Sequence, residues 1–219
     1  MSPYLAVNIG GAELWLLAEK AVYWPAERAL LVADVHFGKA AVYRALGQPV
    51  PHGTTAANLA ALDRLLARYG VDELIFLGDF LHGPAAQGSA TLGALGAWRT
   101  RHPALRITLV RGNHDLRAGD PPAALGIQVC AEPLLRGPLA LRHEPAPHPT
   151  HAVLAGHVHP VYLLRGRGRQ RLRLPCFQVG QQVTLLPAFG AFTGGYALAR
   201  KAGVQLVLVG DEGVWCLPS

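Results

Sequence analysis

Apolar positions along the chain follow two different rhythms. In the N-terminal half, short aliphatic and β-branched runs at 4–9, 30–33, 73–77 and 106–110 predict strands, and the last three each end in a polar cluster. Between them, Leu59, Leu62, Leu65, Leu66 and Tyr69 recur at helical spacing and stop at Gly70, a residue suited to a left-handed C-cap, so a helix is predicted over 54–69. A second helix is predicted over 90–100. Strands alternating with helices predict an α/β arrangement whose crossovers join neighbouring, mostly parallel strands. From Gly126 onward the text is almost all strand-like: IQVCAE, PLALRH, HAVLAG, VYLL, LPCF, QVTLLP, GYALAR and VQLVLVG, separated by Gly, Pro or Arg. The expected fold is therefore α/β, with a second, mixed or antiparallel sheet packed on the first. No Ser/Gly linker or charge block divides the chain, which predicts a single domain over 1–219.

Composition supports a packed core, since 51% of the 219 residues are hydrophobic and only 16% charged, which excludes a disordered chain. Twenty Lys and Arg against 14 Asp and Glu leave a formal +6, a bias toward anionic partners in which phosphate is the obvious class. Cys130, Cys176 and Cys216 are odd in number and form no C-x-x-C pair, which fits a reducing compartment. The opening MSPYLAVNIGGAELW lacks a basic segment followed by an apolar one, and no run reaches the roughly 18 apolar residues of a membrane span. A soluble cytoplasmic protein with no membrane partner is expected.

Candidate chemistry sits at the strand ends. Asp34 and His36 in LLVADVHFGK lie two apart, and strand alternation would point both to one side. ELIFLGDF ends in Gly78 and Asp79, and ITLVRGNHD in Gly112, Asn113, His114 and Asp115, each Gly allowing a tight turn. In open α/β sheets, ligands gather beyond the carboxyl ends of strands, so these positions should converge. PLALRHEP adds His143, and HAVLAGHVHP adds His157 and His159. Asp34, His36, Asp79, Asn113, His143, His157 and His159 supply hard oxygen and borderline nitrogen donors, enough for two divalent ions sharing one carboxylate.

The order D-x-H, G-D, G-N-H-D, a lone His and G-H-x-H resembles the calcineurin-like metallophosphoesterases, with motifs spanning roughly residues 30–160. That resemblance implies a pair of mixed sheets flanked by helices. It also implies that Asp34, His36 and His159 hold one metal, that Asn113, His143 and His157 hold the other, and that Asp79 bridges them. His114 is then left unligated beside the scissile phosphate, to stabilise the transition state or protonate the leaving oxygen, with Asp115 orienting it. HFGKA, RALGQPVP, GDFLH, RHEP, GHVHP, RLPCF and LPAFG look more closely like the bacterial ligase-associated DNA-damage-response phosphoesterases, the PdeM-type family, over nearly the whole chain. This closer resemblance implies DNA as substrate and DNA-repair proteins such as a ligase as partners.

The expected activity is that of a two-metal phosphoesterase in which water activated between two cations attacks phosphorus in line. Mixed Asp, His and Asn ligation favours Mn²⁺, with Fe, Zn or Ni compatible and Mg²⁺ alone disfavoured by so many imidazoles. A nuclease or phosphodiesterase acting on DNA is the leading reading. The alternatives are a small-molecule or cyclic nucleotide phosphodiesterase or phosphatase, and a metal-binding protein without turnover, which has no need of a free imidazole at His114. His82, three residues after Asp79, is a candidate for the substrate site or for support of the ligands. Arg165, Arg167, Arg169, Arg171 and Arg173 alternate after His159, and if extended would form one phosphate-tracking face beside the metals; the alternative is a solvated, Gly-loosened hairpin whose arginines keep an edge strand from aggregating. Lys39 follows Gly38, but no earlier Gly or following Ser/Thr completes a P-loop. His52, His102, His148 and His151 are expected to be solvated, and the cysteines and the four tryptophans to serve packing.

Overall fold

Alternation of apolar side chains along the strands builds three layers in the computed structural model, which describes residues 2–50, 53–168, 170–211 and 213–218. The first sheet begins with an antiparallel meander, β1 (Tyr4–Ile9), β2 (Ala12–Leu17), β3 (Val22–Trp24) and β4 (Ala29–Val32). Helices α1 (Lys39–Ala45) and α2 (Thr54–Tyr69) lead to β5 (Glu73–Leu77), α3 (Ser89–Arg101) leads to β6 (Arg106–Val110), and α4 (Asn113–Ala118) precedes β7 (Ile127–Cys130). Strands β4 to β7 are parallel neighbours, so the seven-stranded sheet is mixed. The second sheet holds β8 (Leu134–Arg136), β9 (Leu139–Arg142), β10 (Ala152–Ala155), β11 (Pro160–Arg165), β12 (Arg171–Val179), β13 (Val183–Leu185), β14 (Tyr196–Ala197), β15 (Gln205–Gly210) and β16 (Gly213–Cys216). It too is mixed, with β9, β10 and β13 parallel and the hairpins antiparallel.

In β4, Leu30 and Val32 pack toward the helices, while Ala29, Leu31 and the following Ala33 face the second sheet, as the pleat requires. Leu59, Leu62, Leu65 and Leu66 of α2 close the helix side, each burial worth about 1.5–3 kcal/mol. The inter-sheet layer interleaves Leu14, Leu16 and Ile75 with Leu141, Leu154 and Phe177. Helix α2 occupies the predicted 54–69 and ends on Gly70 at φ 58, ψ 54. No helix among the described residues is long and apolar enough to cross a membrane.

Three expectations change. IQVCAE does form a strand, but β7 pairs in parallel with β6 in the first sheet rather than joining the second. Periodicity fixes that a segment is a strand, whereas its neighbour is chosen by the connection, and here a short α4 returns the chain beside β6. The strands at 12–17 and 22–24, which the run pattern does not single out, complete the meander. His102 is not simply solvated: its Nε2 lies 2.7 Å from Asp63 Oδ1, which also accepts the Trp98 indole N–H at 2.6 Å. Those bonds hold the Asp63 carboxyl below its ordinary range against a desolvation that acts the other way. His52 lies outside the described residues.

Among the described residues, Glu73 is the one acid buried in the strand layer away from the carboxyl ends of the parallel strands. It accepts the Thr108 hydroxyl at 2.8 Å and the Arg136 guanidinium at 2.7 and 2.9 Å, tying β5 to β6 and β8. Glu73→Ala should lower unfolding stability by about 2 kcal/mol through loss of these charge-assisted bonds. Urea titration checks this, and an unchanged midpoint would remove the carboxylate as a cross-strand tie.

Candidate metal centre

Strands β4, β5 and β6 of the first sheet and β9 and β10 of the second all end at one place. There the backbone departs from strand geometry: Asp34, His36, Asp79, His157 and His159 have φ of 56, 50, 53, 70 and 51°, in the left-handed region that side chains other than Gly rarely adopt. Asp34 and His36 therefore do not share a side through strand alternation, because β4 stops at Val32 and both residues lie in the turn beyond it. The turn is held by His36 N–H donating to the Asp79 carbonyl at 2.9 Å and Phe37 N–H to the Phe80 carbonyl at 2.8 Å.

Glycine serves the centre in two ways. Gly78 has φ 75°, and a Cβ there would lie 2.2 Å from His143 Nδ1. Gly112 and Gly156 are not left-handed, yet a Cβ on either would fall 2.5 Å from the Asp79 amide and 2.7 Å from Asp34 Oδ2 respectively. The expected tight turn applies to Gly78, while the other two permit close approach.

All seven predicted donors come together, in two groups. In the first, His36 Nε2 lies 3.3 Å from His159 Nε2, and His159 Nε2 lies 3.4 Å from Asp34 Oδ1. In the second, His143 Nε2 lies 2.9 Å from Asn113 Oδ1 and 3.0 Å from His157 Nδ1, which is itself 3.2 Å from Asn113 Oδ1. Asp79 stands between them, Oδ2 at 3.7 Å from His36 Nε2 and Oδ1 at 3.4 Å from His143 Nε2. Asp34 also secures the second sheet to the first, both its oxygens accepting the His157 backbone N–H at 3.1 and 2.9 Å.

At His143 a lone pair faces the centre. His143 Nδ1 sits 3.1 Å from the Leu77 carbonyl, which can only accept, so the ring proton is there and Nε2 carries a lone pair toward Asn113 and Asp79. Burial, reinforced by the Lys39 charge and the neighbouring histidines, lowers the His36 pKa and keeps that ring neutral. Carboxylate, amide and imidazole groups converging at 2.9–3.7 Å fit divalent cations chemically, and Asp34, His36, His159 and Asp34, Asp79, His143 each form a compact candidate cluster.

His114 stands at the edge of the cluster. Its Nδ1 donates to the His82 carbonyl at 2.7 Å, leaving Nε2 on the far side of the ring, 4.0 Å from Asp79 Oδ2 and partly exposed. Asp115 does not do the orienting. Its carboxylate is buried and accepts the backbone N–H of Leu81 at 3.0 Å and of Gly112 at 2.9 Å, bracing the two loops. Burial chiefly, with the Asp79 charge adding to it, pushes its pKa up to about 6 against those two bonds.

His82 does reach the site: its Nδ1 is 3.3 Å from His36 Nδ1 and its ring stacks on His114 at 4.7 Å. Burial, then Lys39 and His114, lower its pKa to about 4. The arginine ridge is folded as a hairpin. Arg165 and Arg171 are direct cross-strand partners and Arg173 faces Leu163, so these three share a hairpin face, but Arg167 lies in the connecting turn and Arg169 lies outside the described residues. Gly166 and Gly168 lie where the chain reverses, in agreement with the reading of this stretch as a Gly-loosened hairpin and not with the extended one.

Two positions carry site chemistry that sequence reading did not assign. Lys39 does not complete a P-loop, yet its half-buried ammonium acts on His36 and His82, and burial lowers its own pKa against the opposing charges of Asp79 and Asp34. Buried Asn58 on the apolar face of α2 donates to the Val35 carbonyl at 3.2 Å and accepts the Ala191 N–H at 2.9 Å, fastening the loop after Phe189 to the site. A polar residue on an otherwise apolar helical face was the available signal.

A model of the family described as calcineurin-like phosphoesterases matches residues 27–162. Among solved structures, a nuclease, MPE, from Pseudomonas putida is 56% identical, covering 98% of this chain and 100% of its own at a TM-score of 0.88. YfcE, a phosphoesterase from E. coli, is 18% identical over 85% of this chain and 90% of its own, at a TM-score of 0.39 too low to argue from. No curated protein sequence matches the chain.

Gly78→Ala would drive a methyl into the His143 ring at a left-handed position. Metal retained after dialysis against dilute chelator should fall by about tenfold or more, the range seen when ligand support is lost, with little change in circular dichroism. Metal content equal to that of the unaltered protein would mean that His143 placement does not matter to binding.

Proposed function

The chain belongs to the calcineurin-like phosphoesterase family and is a metal-dependent phosphoesterase, and on that premise we propose that it is a dinuclear nuclease that hydrolyses phosphodiester bonds in DNA. The observation that carries this reading is the convergence of seven donors in two groups with Asp79 between them. Asp34, His36 and His159 would hold one ion, Asn113, His143 and His157 the other, and Asp79 both. Mixed oxygen and imidazole donors favour Mn²⁺. Divalent cations bound there would supply Lewis-acid charge for the phosphate oxygens and lower the pKa of water.

The chain's own groups do the rest. His114 Nε2 is the atom placed to hold or give a proton at the leaving oxygen, its ring fixed by the bond to the His82 carbonyl. Asp115 braces the loops carrying Asp79 and His114. His82 and Lys39 line the approach, and Arg165, Arg167, Arg171 and Arg173 would track phosphates, with Arg169 part of the same proposal. Placing Arg165 opposite Arg171 sets like charges together, a pairing that favours an anion between them.

A polymeric substrate is supported by the site's openness: a groove of about 190 Å³ adjoins Asn113 and His143, and one of about 230 Å³ adjoins His159. Three unpaired cysteines suit a reducing cytoplasm. A place in DNA repair beside a ligase, and one domain over 1–219, complete the proposal. Hydrolysis assayed with Mn²⁺ on single-stranded DNA, duplex DNA, cyclic nucleotides and bis(p-nitrophenyl) phosphate tests it. DNA cleavage is expected, and turnover of cyclic nucleotides without DNA cleavage would replace the nuclease reading with a small-molecule one.

Asp79→Asn should remove most activity and weaken both ions, because two cations then lack the carboxylate that screens them from each other. Full double occupancy in that variant by metal analysis would count heavily against the shared-ligand assignment. His114→Ala should retain metal but lower kcat by about 10²-fold or more on a substrate with a poor leaving group. A good leaving group should mask the defect, and an unchanged kcat on the poor one would take His114 out of the reaction.

A further inference from the structure

Lys20 is an unusual residue for a turn. Its φ is 62°, in the left-handed region that Asp34, His36, Asp79, His157 and His159 also adopt. Its side chain runs inward to donate from Nζ to the Phe189 carbonyl at 2.9 Å, and burial lowers its pKa from the ordinary lysine value. Neither Lys20 nor Arg173 forms an ion pair among the described residues.

Both line the groove of about 230 Å³ that begins at His159. Its walls come from the ends of β11 and β12 and from the loop that Asn58 fastens, whose Gly190 N–H reaches the Asp34 carbonyl at 3.3 Å. Arg173 enters from β12 and donates to the Gly195 carbonyl, which fixes one edge of its guanidinium and leaves other N–H groups for a ligand. The groove on the opposite side, at Asn113 and His143, is lined by Glu132 and Glu144 as well as Arg111, and Arg111 is already engaged by Asp120 at 2.7 Å. The two grooves therefore differ in sign, and only the one at His159 offers uncompensated cations and no carboxylate.

We propose that Lys20 and Arg173 form a subsite for the phosphate that neighbours the scissile one along a single-stranded DNA substrate. The subsite rests on the nuclease reading and deepens it by stating where the polymer leaves the reacting bond. A phosphate in the groove that begins at His159 is met by a positioned point charge and a guanidinium edge, and restores a counter-charge to an ammonium that folding has left without one. Strain at Lys20 then has a use, since an ordinary turn conformation would not send this side chain under the loop.

The experiment compares TpT, TpTpT and bis(p-nitrophenyl) phosphate on the unaltered protein and on Lys20→Met, Arg173→Gln and Lys20→Arg. TpTpT should show a KM about tenfold below that of TpT, from one extra charge-assisted contact. Lys20→Met should erase that difference with kcat and small-diester hydrolysis unchanged, Lys20→Arg should retain it, and Arg173→Gln should raise the TpTpT KM. With metal removed by chelator, binding of a dye-labelled oligothymidylate followed by fluorescence anisotropy should lose about 0.7 of its log-log salt slope per contact deleted. If the unaltered protein cleaves both oligonucleotides with equal KM, or the variants leave the TpTpT KM and the salt slope intact, the subsite is wrong and the nuclease reading stands. Hydrolysis of the small diester alone, with neither oligonucleotide cleaved, overturns both.

Discussion

The whole centre depends on one backbone constraint, that side chains leaving five strand ends must meet within hydrogen-bonding distance of one another. Extended backbone cannot achieve this, because it sends successive side chains to opposite faces. The chain instead turns through the left-handed region at Asp34, His36, Asp79, His157 and His159. Each such residue costs on the order of 1–3 kcal/mol, so the arrangement persists only where its surroundings over-determine it. The surroundings do so with buried bonds: the Asp34 carboxylate on the His157 amide, the Asp79 carboxylate on the His114 amide at 3.0 Å, Asp115 on two amides, and Glu132 on the His143 amide at 2.6 Å. The acids at the centre and around it thus act first as clamps on backbone N–H groups, and their remaining lone pairs are what a cation would find.

The same constraint explains why two sheets are needed. Asp34, Asp79 and Asn113 follow the parallel strands β4, β5 and β6, whereas His143, His157 and His159 follow β9 and β10 of the other sheet. The sheets touch in backbone at the site itself, where Ala33 bridges Ala188 and the Phe189 N–H donates to the Ala33 carbonyl at 2.9 Å. Apolar packing between the sheets sets their separation, the glycines at 78 and 156 let them close to contact, and Gly112 lets the end of β6 approach Asp79. A methyl at any of these positions acts on the centre through distance before it acts through stability.

Much of this was legible in the sequence because it is written in short spacings. The helix at 54–69 announced itself by five apolar positions and a terminal Gly, and the donors by acids, amide and imidazoles at the ends of apolar runs. What was not legible required knowing neighbours. β7 reads as a strand but its sheet is decided by a six-residue helix, α4, that returns it beside β6. Asp115 adjoins His114 in sequence, yet the ring is turned toward the His82 carbonyl, a partner 32 positions away. The alternating arginines left an extended face and a Gly-loosened hairpin both open, and the pairing of β11 with β12 decides for the hairpin. Lys20 carries no local signal, since its importance lies in a left-handed turn and a carbonyl 169 positions distant.

Net charge acquires meaning only once the ion pairs are placed. Arg28 pairs with Asp72, Arg68 with Glu19, Arg101 with Asp63, Arg111 with Asp120, Arg142 with Glu132, and Arg106 and Arg136 with Glu73, so these cations are locally cancelled. Such pairs add little to stability where they are exposed, but they do remove positive potential from the surfaces that carry them. Lys20, Lys39, Arg165, Arg171 and Arg173 have no such partner among the described residues, and Lys20, Lys39 and Arg173 lie at or beside the centre. A formal +6 spread evenly would attract polyanions to any face. Cancelled at these pairs, Arg111 with Asp120 beside Asn113 among them, and left open beside His159, the same charge would give an incoming anion a direction toward one side of the centre.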